Sequence, residues 1–198
     1  MREAVAVGRN CYHAQLWKGM DMQGKWGASP TVDSCRAQWV LNANIQHNTS
    51  HYYRFGLMLP ESWEQAGMCL LHDYHGVARA GQSMSVYANG PSLEWWIVNE
   101  NPVQRDKNYT RAKYTRPLEL GTWQDIEAKV HYDTDHTAFT VVSVNGQPWF
   151  DDRKPNAFPT DAANGARMVV GPYVWDLSTV QNKRRECYFT IPTSTVIV

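Results

Sequence analysis

The sequence predicts an all-β chain folded as a two-sheet antiparallel sandwich or jelly roll. Three observations predict it. Apolar residues recur with period two in every strongly patterned stretch. Turn signals return every ~8 to 12 residues, as sandwiches require. No segment keeps an apolar stripe at helical spacing for three turns, so helices are at most short connectors. The 198 residues allow a sizeable core and suit one sandwich. No repeat, low-complexity tract or linker interrupts residues 1–198, so one domain is expected.

The elements follow in chain order. "CRAQW" and then "SHYYRFGLMLP", which alternates until Pro60, read as strands. "LLHDYHGVARAG" is a buried-type strand that carries Asp73, Tyr74 and His75 before it breaks at glycine. "SMSVYANGPSLEWWIVN" gives two strands about Asn89-Gly90. "DIEAKVHYDTDHTAFTVVSVNGQPWF" gives three more, about a four-residue turn and Asn145-Gly146. "GARMVVGPYVWDL" and "CYFTIPTSTVIV" supply the last strands.

Composition narrows the function classes. The 19 basic and 19 acidic residues cancel, which argues against nucleic-acid or anionic-membrane partners; any anionic ligand must be held locally. No apolar run approaches the ~20 residues of a membrane helix, and "MREAVAVGRN" lacks the apolar core of an export signal. Cys11, Cys35, Cys69 and Cys187 contain no CxxC pair, which removes the usual zinc and redox signatures. Two disulfides and four buried thiols both remain open. Two glycosylation triplets, Asn48-Thr49-Ser50 and Asn108-Tyr109-Thr110, lean toward secretion. A monomer is expected.

Polar residues at i and i+2 of a strand share a face. "CRAQW" thereby pairs Arg36 with Gln38, "HDYHG" pairs Asp73 with His75, and "MVVGPYVWD" aligns Gly171, Tyr173 and Trp175. If these strands are neighbours, one groove gathers a guanidinium, an amide, a carboxylate, an imidazole and a phenol.

These stretches resemble the motif set of jelly-roll polysaccharide lyases, the group that holds alginate lyases, glucuronan lyases and heparin lyase I. There a strand reading roughly R-x-E-L is followed by Q-x-H and later by G-x-Y. Here "RAQW", "DYHG" and "GPYV" stand in that order. "YYRFGLMLPESW" and "GTWQDIEAKVHYD...FTVVSVNGQPWF" resemble the family's flanking strands, and the likeness covers about residues 30 to 175. It implies a concanavalin-like jelly roll with a concave substrate groove, an anionic polysaccharide substrate and no cofactor.

The implied reaction is β-elimination at a 4-linked uronate, which removes the C5 proton and expels O4. The neighbouring carboxylate must be neutralised before that proton becomes acidic, and a base and an acid are needed. The resemblance makes Arg36, with Gln38, the holder of the carboxylate, His75 the base or a further donor, and Tyr173 the acid. Glucuronate and mannuronate carry the C5 proton and O4 on one side of the ring, so Tyr173 alone can serve as base and acid. Guluronate and iduronate carry them on opposite sides and favour His75 as base. Neither scheme requires a metal. Asp73, Trp95 and Trp175 are expected to bind substrate.

The chain departs from the family pattern at Gln38, where glutamate is usual, and at Asp73, where glutamine is usual. An ionised Asp73 repels a uronate unless it is protonated or paired with Arg36 or His75, and pairing would favour imidazolium. The basic residue that many relatives carry near G-x-Y is also missing, with Val169, Val170 and Val174 in its neighbourhood. A lone sandwich histidine or tyrosine is more often structural, and Arg36 can pair with a surface acid. Of the adjacent Trp95 and Trp96, one must face inward. His47 and His51 can reach the groove or face solvent, and "NKRRE" at 182–186 reads as a solvated turn.

Two other classes compete with the lyase. A carbohydrate-binding module of the same shape is favoured by Asp73. A glycoside hydrolase needs two flanking carboxyls, for which Asp125 and Glu127 in the strand "WQDIEAK" are the i, i+2 candidates, without the third acid such a strand would show.

Overall fold

The computed structural model describes residues 2–17, 35–36, 38–65, 67–76, 82–100, 108–159, 165–174, 184–190 and 193–197. Its strands are β1 (Arg2–Ala6), β2 (Arg9–Trp17), β3 (Cys35–Arg36), β4 (Trp39–Ile45), β5 (Thr49–Met58), β6 (Met68–Gly76), β7 (Gln82–Asn89), β8 (Ser92–Glu100), β9 (Asn108–Pro117), β10 (Gln124–Tyr132), β11 (Phe139–Val144), β12 (Gln147–Asp152), β13 (Ala166–Val174), β14 (Arg184–Phe189) and β15 (Thr193–Ile197). They form two antiparallel sheets stacked as a jelly roll.

The first sheet runs β1-β2-β14-β5-β10-β11-β12, with β15 also paired to β5. The second runs β3-β13-β6-β7-β8-β9, with β4 also paired to β13. The expected hairpins are present. β7 and β8 meet across a turn with Gly90 at φ +55°, and β11 and β12 meet at Asn145-Gly146, with φ +53° and +74°. The two positive angles at Asn145 and Gly146 are the backbone of a type I′ turn, which Asn-Gly adopts at low cost, whereas in the β7–β8 turn Asn89 pairs with Ser92 and Gly90 alone is positive. The connection between β10 and β11 spans 133–138 and is longer than the four residues expected, because Asp133 and Asp135 each cap a local turn through Thr134 and Thr137.

Four strands escape the sequence pattern: β1, β2, β4 and β9. In β9 the inward residues are Ala112 and Tyr114, amid polar and charged neighbours. Such a sequence suits an edge strand.

The core lies between the sheets. Tyr53, Phe55, Leu57, Ile126, Ala128 and Val130 from the first sheet meet Leu71, Met84, Val86, Leu93, Trp95, Ile97, Met168 and Val170 from the second in one buried cluster. Burying each large side chain contributes roughly 1.5–3 kcal/mol before chain entropy is subtracted. Cys11, Cys69 and Cys187 are buried thiols that form no disulfide, so the two-disulfide alternative is overturned and the buried-thiol alternative holds for these three. In Cys187, burial pushes the thiol pKa well up.

One side of the sandwich is closed by a polar clasp. Arg111 of β9 donates to both Asp152 oxygens of β12, at 2.9 and 3.1 Å, and to the Pro155 carbonyl. The Tyr114 hydroxyl donates to Asp152 while its ring stacks on Phe150, with centroids 3.9 Å apart. The "NKRRE" run is not a solvated turn where it is described. Arg184, Arg185 and Glu186 open β14, and Arg185 is 2% exposed, stacked 4.7 Å from the Trp63 ring centroid with Nη1 on the Glu64 carbonyl.

Candidate active site on the outer face of the second sheet

Three of the sequence motifs lie on adjacent strands. β13 stands between β3 and β6, and the register sets Tyr173 opposite Arg36 on one side and opposite Leu70 on the other. Asp73 stands opposite Val169 and Ser85, and His75 opposite Arg167 and Gln82. The strands that carry Arg36, Asp73, His75 and Tyr173 are therefore neighbours. The side chains of Arg36 and His75 lie outside the described residues, as does Trp175.

A pair of bulges explains how "LLHDYHG" and "VVGPYV" meet. Leu71 is an extra residue in β6 against β7, so Leu71 and His72 both face the core and Asp73 turns outward. At the same level β13 carries an extra residue between Val170 and Tyr173. Gly171 there adopts φ +128°, a region that side chains rarely enter. This lets Tyr173 stand opposite Leu70 on the outward face, half-buried.

The two faces of β6 hold different chemistry. His72 is fully buried among Tyr53, Phe55, Tyr74 and Trp95, and its Nδ1–H donates to the Val169 carbonyl at 2.7 Å. Burial pulls its pKa down to about 4, although that hydrogen bond pulls the other way. It is a neutral structural histidine that ties β6 to β13. On the opposite face Asp73 is 1% exposed, beside Ser85 and Tyr87, themselves buried. Burial pushes the Tyr87 hydroxyl up to about 12; a hydrogen bond with Ser85 opposes this, and the nearby Asp73 and Tyr173 add to it. Polar groups that point away from the core and are still buried form a recessed floor.

Trp95 is a correction. It is 0% exposed and packs in the core against Tyr53, His72, Trp149 and Phe150. Alternation puts Leu93, Trp95 and Ile97 on the core face and leaves Trp96, opposite Ser85 and Lys113, to the outer face. Gln38 lies between β3 and β4, half-buried, with an amide nitrogen that is buried and has no hydrogen-bond partner among the described residues.

The competing assignments fall elsewhere. Asp125 and Glu127 sit on β10 in the other sheet, where Asp125 is held by Arg9 at 2.5 Å and Arg54 at 3.5 Å, and Glu127 by Arg54 at 3.5 Å. The Arg9 hydrogen bonds hold the Asp125 carboxyl below its usual range. A salt-bridged surface pair in the other sheet does not flank a bond bound at the candidate site. His51 belongs to β5 in that same sheet, buried with Nε2 2.7 Å from Thr49 Oγ1, and His47 packs edge-on against Tyr132.

Residues that the sequence pattern did not single out join the site through register alone. Arg167 is exposed and stands directly opposite His75, so β13 supplies a cation, although not within the valine run searched for one. Ser85, Tyr87, Glu94, Trp96 and Lys113 extend the same face across β7, β8 and β9. No group of three metal-ligating side chains occurs among the described residues.

Comparison with known proteins bears on the fold and the family. No curated protein sequence matches the chain. Among solved structures, an endo-β-1,4-glucuronan lyase from the fungus Trichoderma reesei superposes with TM-score 0.76 at 13% identity, over 99% of this chain and 86% of that one. Alginate lyase A1-II′, of polysaccharide lyase family 7, superposes with TM-score 0.59 at 14% identity over 96% and 80%. Alginate lyase AlgAT5 of the same family does so with TM-score 0.61 at 12% identity over 99% and 82%. At such identities these likenesses speak to the jelly-roll fold. The family model described as polysaccharide lyase matches residues 4–190, nearly the whole sequence, and the chain therefore belongs to the polysaccharide lyase family.

Proposed function

We propose that this protein cleaves a 4-linked uronic-acid polysaccharide by β-elimination, with glucuronan as the leading substrate. The observation that carries the reading is the register across β3, β13 and β6, which brings Arg36 opposite Tyr173 and Arg167 opposite His75, with Asp73 between the two levels. The likeness to a glucuronan lyase over 99% of the chain supports the choice of sugar.

In this reading Arg36 and the Gln38 amide neutralise the uronate carboxylate, which makes the C5 proton acidic. On glucuronate the C5 proton and O4 share one side of the ring. Tyr173, as phenolate, takes the C5 proton and returns it to O4 as the C5–H and C4–O4 bonds break and a C4=C5 double bond forms. His75 donates to the carboxylate, with Arg167 as the neighbouring cation. The products are a new reducing end, whose anomeric hydroxyl is the protonated former bridging oxygen, and a uronate unsaturated between C4 and C5. Asp73 enters the recessed floor beside Tyr87 and Ser85, not the open surface, which keeps its carboxyl from being the first group an incoming anion meets.

Ultraviolet absorbance of the conjugated double bond tests this on a panel of glucuronan, alginate blocks, heparin-like and pectic polymers. A rise on glucuronan is expected; a flat trace on every polymer sinks the reading. The second reading, a non-catalytic carbohydrate-binding module, is favoured by the acid at position 73. It predicts polymer binding with no absorbance change.

A further inference from the structure

On the outer face of the second sheet Glu94 is 4% exposed and takes three donors: Trp96 Nε1 at 2.8 Å, Asn89 Nδ2 at 3.3 Å and Lys113 Nζ at 2.8 Å. Lys113 Nζ also lies 5.3 Å from the Trp96 ring centroid, and the Tyr87 ring stands 4.8 Å from the same indole. A buried carboxylate is a poor way to hold two strands together, since apolar residues of similar volume stabilise at least as well. Retaining it therefore points to what it positions. It fixes the indole through its N–H and the ammonium through a direct ion pair.

The cluster is asymmetric in a useful way. The Glu94 side chain is 5% exposed and that of Lys113 44%, so an approaching anion meets the ammonium, which keeps two N–H donors beyond the one given to Glu94. Trp96 is half-buried beside it, and an indole offers a flat apolar surface with a polar edge, which suits a sugar ring. Ladder pairs run in one row from Asp73 through Ser85 and Trp96 to Lys113. Three strand spacings, roughly 14 Å, separate the row's two ends. An extended polymer lying across the sheet reaches Lys113 well beyond the sugar at Asp73.

We propose that Lys113 and Trp96, held in place by Glu94, form a remote subsite for a uronate residue of the polymer, with Lys113 taking its carboxylate and Trp96 its ring face. The proposal rests on the lyase reading and adds where the chain beyond the cleaved bond is gripped. Lys113→Met keeps the aliphatic stem and removes the charge. Without the ammonium's hydrogen bond to the uronate, the KM preference for glucuronan polymer over its trisaccharide should fall about tenfold while kcat on polymer holds. Glu94→Gln, a change at a positioning residue, should move the same preference in the same direction. An unaltered preference in Lys113→Met overturns the subsite. If the wild type eliminates nothing from glucuronan, the lyase reading fails separately, and retardation in a native gel containing glucuronan tests the subsite alone. Weaker retardation of Lys113→Met upholds it, and equal retardation overturns it.

Discussion

Tyr173 is the register partner of Arg36 across the β3–β13 ladder and of Leu70 across the β13–β6 ladder. A tyrosine and an arginine from opposite ends of the chain thus occupy facing positions on neighbouring strands. Tyr173→Phe should lower kcat by about 10²- to 10⁴-fold, the range of a lost general acid–base group, with the fold retained. Arg36→Ala should chiefly reduce kcat/KM. The double-bond absorbance assay with circular dichroism checks both; wild-type rates in Tyr173→Phe would remove the phenol from the mechanism.

Asp73→Asn tests the clearest departure from the family pattern. The amide is nearly isosteric and cannot carry a negative charge, and its NH2 offers two donors toward the uronate carboxylate that the proposed reaction places nearby. The expected outcome is a higher kcat/KM on glucuronan, carried by a lower KM. A fall in kcat accompanied by a shifted pH profile would instead make the carboxylate a tuning partner of His75.

Gly171 is the hinge of the bulge that sets Tyr173, and its φ of +128° admits glycine far more readily than any other residue. Gly171→Ala should cost about 1–3 kcal/mol in strain, read from denaturant unfolding. It should also lower kcat on glucuronan, because relief of the strain displaces Tyr173. An enzyme with full kcat despite the lower stability would show that the bulge serves folding alone.

The sandwich was legible because its evidence is local: alternation and Asn-Gly turns lie within a few residues of each other, and β7, β8, β11 and β12 appear where those signals place them. The site was legible only in part. Trp95 and Trp96 are chemically identical neighbours, and parity alone decides which is core; that parity is fixed by the partner strands. The same holds at β6, where one extra residue, Leu71, sends His72 inward and Asp73 outward. Arg167, Glu94 and Lys113 carry no motif, and their roles emerge only from what stands opposite them. Edge strands such as β9 are missed for a related reason, since their polar composition serves to keep the edge from pairing further.

The clasp between the sheet edges has a measurable weight. Asp152 is 5% exposed and holds Arg111 and Tyr114 together. Asp152→Ala leaves a guanidinium without its carboxylate in a half-buried setting, which should destabilise by roughly 3 kcal/mol. Urea unfolding measures it; a change below about 0.5 kcal/mol, the size of an ordinary surface substitution, would show the clasp to be incidental.

His72 gives the molecule an acid-side instability. Its folded pKa is about 4 against an ordinary 6.5, chiefly because burial disfavours the charged ring. Between those values the unfolded chain binds the proton and the folded chain does not, so stability falls as pH drops from about 6.5 to about 4. The shift corresponds to roughly 3 kcal/mol. His47 and His51, also lowered by burial, act with the same sign. His72→Phe should preserve the aromatic packing, forgo the hydrogen bond to Val169 and start from lower stability at neutral pH, yet lose less on acidification. Urea unfolding at pH 7, 5.5 and 4.5 reads this directly: a slope against pH as steep as the wild type's would show that His72 is not the group that takes up the proton.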